Sequence, residues 1–243
     1  MILRRITEHV KAQNWFAVAI DFVIVVGGVF IGIEVSNWNA ARADRNREQV
    51  LIARVAADFE AIETRLSASL TVFDNSLAAI DTVSRAITRA DAPSTADEMG
   101  ALGEALGQVL SSRVPAWRSA TFVPMQSSGD LNLLRNAALK SALIQYDQQS
   151  GIAEMGWKSL NDASLMYSAP IYDHVRFAAR DSSLRSTGFE IASFDFRAMR
   201  ADSRVLPALS VQTMVKANNR ALQRQQLQRA SSVLAALREE LAD

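Results

Sequence analysis

Residues 15–38 read WFAVAIDFVIVVGGVFIGIEVSNW, and between Phe16 and Val35 thirteen side chains are Phe, Ile or Val. Each contributes about −0.3 to −0.6 kcal/mol to bilayer insertion, against about +2.5 to +3.5 kcal/mol for a carboxylate at the midplane. Asp21 and Glu34 stand toward the two ends of the run, where a polar group reaches the interface and its penalty falls. Insertion wins. Trp15 and Trp38 bracket the run as interface anchors, and their separation of 23 residues corresponds to about 35 Å of helix, close to the thickness of a bilayer core with its margins. The stretch predicts one transmembrane helix over 15–38. A cleavable signal peptide is the competing reading, since Ala41-Arg42-Ala43 has a small-x-small pattern. The apolar run is longer than a signal h-region, however, and that tripeptide lies well beyond its end.

One face of this helix is unusual. At 100° per residue, Ala17, Asp21, Gly28 and Gly32 fall within about 60° of one another. Gly28 and Gly32 form a small-xxx-small pair that permits close backbone approach, and Asp21 is a carboxylate that lipid disfavours. The stripe predicts packing against another transmembrane helix, from a membrane-protein partner or from a second copy of the chain.

Working outward on the N-terminal side, residues 1–14 carry Ile2, Ile6 and Val10 at helical spacing, with Arg4, Arg5 and Lys11 between them. This pattern predicts an amphipathic segment lying on the membrane surface. The Lys and Arg counts on the two sides of the span are close. The basic leading segment and the acidic Glu34, Asp44 and Glu48 beyond it favour a cytoplasmic N-terminus, with residues 39–243 on the periplasmic side.

On the other side, Asn39 to Ala92 contains neither Pro nor Gly. Its apolar residues Leu51, Val55, Phe59, Ile62, Leu66, Leu70, Phe73, Leu77, Ile80, Val83 and Ile87 step by four and three, as one buried helical stripe requires. Pro93 ends that helix, and Ser94 with Asp97, or Thr95 with Glu98, offers a capping box for a second one reaching Ser111. Pro115 and Pro124 bracket an irregular link, and Ser127-Ser128-Gly129 signals a turn. Helices are expected at 131–134, 136–148 and 152–181, the last kinked or divided at Pro170. The stretch 186–196 reads as a loop, and a final helix is expected over 207–241. The fold class is therefore all-α: a transmembrane helix followed by an elongated antiparallel helical bundle over 39–243. A long coiled-coil dimer is disfavoured, because the stripe holds too many four-residue steps for a strict heptad seam.

Lys plus Arg equals Asp plus Glu at 26 each, so no global field draws nucleic acid. There is no Cys, and the two histidines, His9 and His174, form no ligand cluster. His174 reads as a surface or partly buried helical histidine. Walker, dinucleotide, zincin and nucleophile-elbow motifs are missing. No catalytic, cofactor or metal residue is expected, and an enzyme is disfavoured. Lys216, Arg220 and Arg224, with Arg229 beyond, give the last helix a basic face, expected to be solvated or paired with Asp58, Glu60 and Glu63. In the Ser-Ser-Gly element, Gly129 permits a positive φ, Ser128 belongs to the turn, Leu131, Leu133 and Leu134 return to the core, and Asn136 caps the next helix.

The segments Ile33-Glu34-Val35-Ser36-Asn37-Trp38-Asn39 and Ser127-Ser128-Gly129-Asp130-Leu131-Asn132-Leu133-Leu134-Arg135-Asn136 resemble those of a bacterial family of single-pass membrane proteins with a domain of unknown function. Its span closes on an N-x-W-N-like element, and its middle carries an S-S-G-x-L-x-L-[IL]-x-N-like one. An acidic residue early in the span, here Asp21, is similar to the family pattern. Ser36 stands where Asn is frequent, and Glu34 where Gln is. The resemblance implies a helical protein of the bacterial inner membrane and brings no activity. The expected function is a non-enzymatic accessory or scaffold protein, without cofactor, that meets a membrane partner or itself through its anchor. The alternative is a sensor-like bundle that binds a ligand or protein outside the cytoplasm.

Overall fold

The computed structural model describes residues 15–111, 117–178 and 191–242, with the side chains of 15–19 and 21 outside that description. The amphipathic segment expected over 1–14, Pro115 and the first part of the expected 186–196 loop also lie outside it. The chain divides into two compact units, Met1–Val50 and Leu51–Asp243. The described residues are mostly helix: α1 (Trp15–Thr88), α2 (Ala96–Leu110), α3 (Phe122–Ser128), a 3-10 turn (Asp130–Leu133), α4 (Ala137–Tyr167), α5 (Ala169–Tyr172), α6 (Phe196–Ala201) and α7 (Val205–Ala242). Two short strands, β1 (Val175–Phe177) and β2 (Ile191–Phe194), form the one sheet among them.

α1 passes through Asn37 and Asn39 without a break, because the good helix formers around them and the lack of Gly or Pro leave nothing to stop it. Its N-terminal part is long and apolar enough to cross a membrane. Thr95 then starts α2 with a full capping box: its hydroxyl accepts from the Glu98 amide at 3.2 Å, and Glu98 Oε2 accepts from the Thr95 and Ser94 amides. Those amides, Ser94 first, hold the Glu98 carboxyl below its usual range. Pro124 is not a loop boundary but sits in the first turn of α3, where a missing N–H costs nothing. Gly129, at φ 84°, ends α3 in the left-handed region. Asn136 accepts from the Ala138 and Leu139 amides and starts α4. Of the three leucines expected in the core, Leu134 is buried, while Leu131 and Leu133 are partly covered.

Two expectations are corrected here. α4 runs unbroken from Ala137 to Tyr167 through Gly151 and Gly156, and its helical course does not reach 181: after α5 the chain becomes β1. The region read as loop holds β2, antiparallel to β1 with Val175 opposite Phe194 and Arg176 opposite Ser193. Strands this short carry too few alternations to register as a period-two pattern.

Within Leu51–Asp243, two apolar cores lie at different levels of the same helices. The first joins Ile52 to Leu66 of α1 with Leu139 to Ala153 of α4 and Ala230 to Leu237 of α7, closed by Trp117 and Phe122. The second joins Ala79 to Ile87, Leu102 to Leu110, Ile171, Met199 and Val205 to Leu209. Side-chain pairings show that α1 and α7 run in opposite directions: Glu60 with Arg238, Glu63 with Ser231, Asp74 with Arg220. So do α4 and α7: Asn136 with Glu240, Gln149 with Gln226, Ser164 with Gln212.

The buried positions of α1 from Ile52 on are Ile52, Val55, Phe59, Ile62, Leu66, Ser69, Phe73, Ser76, Ile80, Val83 and Ile87, with Ala56 and Ala79 alongside. These eleven alternate steps of three and four without exception, which is a heptad seam and corrects the expectation that the stripe holds too many four-residue steps for one. The expected stripe differed at three places, taking the half-covered Leu51, Leu70 and Leu77 for the buried Ile52, Ser69 and Ser76. α7 matches it with Val205, Leu209, Gln212, Lys216, Asn219, Gln223, Gln226, Ala230, Val233 and Leu237. Five consecutive seam positions, Gln212 to Gln226, are polar, and they lie between the stretches of α7 that build the two apolar cores.

Candidate functional site

The stripe on the long apolar N-terminal part of α1 is the first candidate. Phe22, Ile24, Phe30 and Ile31 are each about two-thirds exposed, an arrangement that water penalises and lipid accepts. A methyl group built on Gly28 or Gly32 would meet nothing within 4 Å. The backbone there is bare. Trp38 is exposed at the end of the run, with the Arg42 guanidinium 5.8 Å from its ring centroid. That stacking sets a cation against an exposed indole at the end of the apolar run. Trp15, Ala17 and Asp21 lie on the same helix backbone, their side chains outside the described set.

The junction residues Ser128, Gly129 and Asn136 have structural partners. Ser128 Oγ accepts from the Asp130 amide at 3.3 Å, and Asn136 Nδ2 donates to Glu240 near the end of α7. The start of α3 is held from outside its own sequence. Asp58 Oδ2 on α1 accepts from Ser119 Oγ and from the Thr121 amide, each at 2.7 Å. Partial burial pushes the Asp58 carboxyl up, but these hydrogen bonds outweigh it and leave it below its usual range. The expected pairing of Asp58 with the basic face of the last helix is thus corrected. Arg220 pairs with Asp74 instead, and Lys216 is not on a solvated face at all: it is buried and donates to the Ser111 carbonyl. Burial pushes its ammonium down to about 8.

The polar seam around Lys216 is the densest set of buried polar groups among the described residues. Gln212 is satisfied by Ser164 of α4 and by Ser168 just after it, and Gln226 Nε2 donates to the Gln149 carbonyl at 3.0 Å. Ser69 Oγ, Asn219 Oδ1, Gln226 Oε1 and both polar atoms of Gln223 have no hydrogen-bond partner within the protein. Sequence reasoning missed this seam because glutamine and asparagine read as surface residues when only the apolar positions are tracked.

His174 is likewise not helical; it stands in the turn between α5 and β1. Its Nε2 lies 3.0 Å from Asp202 Oδ2, which also accepts from Arg204 at 2.7 Å, and Arg204 reaches Asp173 at 3.1 Å. Arg204 foremost, with His174, holds the Asp202 carboxyl well below the usual carboxylate range. Because Asp202 Oδ1 also accepts from the Arg204 amide, the cluster ties the hairpin to the start of α7. Beside it opens a cleft of about 1210 Å³, lined among others by Met99, Tyr172, Arg176, Phe194, Arg197 and Arg200. No group of three or more metal-ligating side chains occurs among the described residues. Compared with known proteins, the chain matches no family model, no curated protein and no solved structure.

Proposed function

We propose that this chain is a non-enzymatic accessory or scaffold protein of the bacterial inner membrane, which associates through its transmembrane helix with a membrane-protein partner or with a second copy. In this reading residues 51–242 form an antiparallel helical bundle presented on the periplasmic side. The observation that carries it is the bare backbone at Gly28 and Gly32 on a stretch of helix where Phe22 to Val25, Val29 to Ile31, Ile33 and Val35 are exposed. Close backbone approach at such pairs is how transmembrane helices gain van der Waals contact where lipid offers no hydrophobic drive. Asp21, one turn and more toward the N-terminus on the same face, supplies a carboxylate that a partner's Arg, Lys or hydroxyl satisfies in lipid. The resemblance carried by residues 33–39 and 127–136 supports the bacterial membrane setting.

The test is purification of the full chain in mild detergent, with identification of co-eluting membrane proteins, beside the Gly28→Leu/Gly32→Leu variant. A stoichiometric partner or a self-associated species, reduced several-fold or lost in the variant, is the expected result. Unchanged association in the variant overturns the proposal.

A second reading, a sensor-like module that binds a ligand outside the cytoplasm, draws on the cleft beside the β1–β2 hairpin. It requires a small molecule in that cleft.

A further inference from the structure

The cleft between the hairpin, α6 and the segment before α2 has an uneven charge balance. Its lining includes the carboxylates Asp173 and Asp195 and the guanidinium groups of Arg176, Arg197 and Arg200. Both carboxylates are already engaged. Asp173 pairs with Arg204, and Asp195 Oδ1 accepts from the Ala198 amide at 2.9 Å as the N-cap of α6. Arg200 is engaged too, donating to the Arg89 carbonyl at 2.7 Å and the Ala90 carbonyl at 3.2 Å, where the C-terminal end of α1 leaves carbonyls unpaired. His174, also in the lining, faces Asp202. Arg176, on β1, and Arg197, on α6, are exposed, and their side chains form no ion pair or hydrogen bond among the described residues.

Apart from Ser193, the rest of the wall is largely apolar. Pro93, Met99, Tyr172, Phe194 and Phe196 line it. The Tyr172 ring lies 5.8 Å from that of Phe177, and a methyl on Gly103 would come within 3.2 Å of Phe194, so the hairpin is pressed onto α2 with little slack. Flat apolar walls beside planar, unpaired guanidinium groups suit a ligand with an apolar or aromatic body and a carboxylate, which a guanidinium grips through paired hydrogen bonds.

We propose that this cleft binds an aromatic carboxylate, with Arg176 and Arg197 receiving the carboxylate and Tyr172, Phe194 and Met99 the ring. The proposal rests on the ligand-binding reading above and names its ligand class; it is independent of how the anchor associates. The test uses the full chain in nanodiscs and follows the 19F NMR signals of 4-fluorobenzoate and of its uncharged counterpart 4-fluorobenzamide. The expected result is saturable broadening and shift for the carboxylate, with affinity falling by about tenfold or more in Arg176→Ala/Arg197→Ala, as the loss of charged hydrogen bonds implies. Arg224→Ala, on the exposed face of α7, is expected to bind as the parent does, and unchanged helical circular dichroism in every variant shows that the fold is intact. Equal binding of the amide, or full binding by the double variant, overturns the carboxylate class and leaves ligand binding standing. Saturable binding of neither probe overturns both.

Discussion

Lys216 shows how far a single residue departs from its sequence appearance. Its helical spacing with Arg220 and Arg224 reads as a basic surface, yet it is buried on the seam of α7 with one carbonyl partner, and its ammonium falls from the usual 10.5 to about 8. A lysine with a depressed folded-state value destabilises the fold fully below pH 8, where both states are charged. As pH rises from about 8 to 10.5 the folded state sheds its proton first, so the penalty fades. Lys216→Met is therefore expected to raise stability at pH 7 by up to about 3 kcal/mol, with the gain shrinking by pH 10. Urea unfolding followed by circular dichroism at the two pH values checks this, and an equal gain at both contradicts it. At the α3 end, Gly129→Ala forces a Cβ into the left-handed region at φ 84° and is expected to cost about 1–2 kcal/mol. Asn136→Ala removes the α4 cap and is expected to cost about 1 kcal/mol. Thermal melts of the two variants measure both. These two positions were legible in the sequence, because turn and cap chemistry is local: Gly129 and Asn136 act on their own neighbours.

At the scale of elements, the α1 and α7 seams are the main finding that the sequence hid. Periodicity located the stripe on α1 correctly at eight of its eleven positions but slipped by one residue at Ile52, Ser69 and Ser76; at the two serines the reason is that Leu70 and Leu77 are the more apolar neighbours. On α7 a run of Gln, Lys and Asn occupies the seam, so apolar periodicity had nothing to follow there. An unpaired buried polar group costs about 1–3 kcal/mol, and replacement by an apolar group of like shape removes that cost. Gln223 has neither polar atom paired. Gln223→Met is thus expected to stabilise residues 51–243 by about 1–2 kcal/mol, a rise of several degrees in melting temperature. By contrast Gln212→Met, which strips partners from Ser164 and Ser168, is expected to destabilise. Both variants moving in the same direction would argue against the polar seam as the controlling feature. The β1–β2 hairpin was invisible for a different reason: it is fixed by its contacts with α2, not by strand propensity.

For the whole molecule, both apolar cores are made entirely of residues from Leu51 onward. A chain of residues 51–243 is therefore expected to be water-soluble, helical and cooperative in thermal unfolding, with the exposed apolar surface of residues 20–35 removed. Circular dichroism and a melting curve decide it, and a broad, non-cooperative melt would show that the anchor segment is needed for folding.

The long apolar N-terminal helix, the helical class, the break at Pro93, a capping box before α2 and the cap at Asn136 follow from the sequence by itself, since hydropathy, propensity and capping act within a few turns of one chain. Which helix faces meet was decided only by tertiary structure. The transfer of Asp58 from the basic face of α7 to the start of α3, the burial of Lys216 and the polar seam between two apolar cores all depend on partners tens of residues or more away in sequence. So does the cleft, whose arginines stand on β1 and α6. Local patterns record which residues tolerate water, but only the packed fold determines which of them lose it.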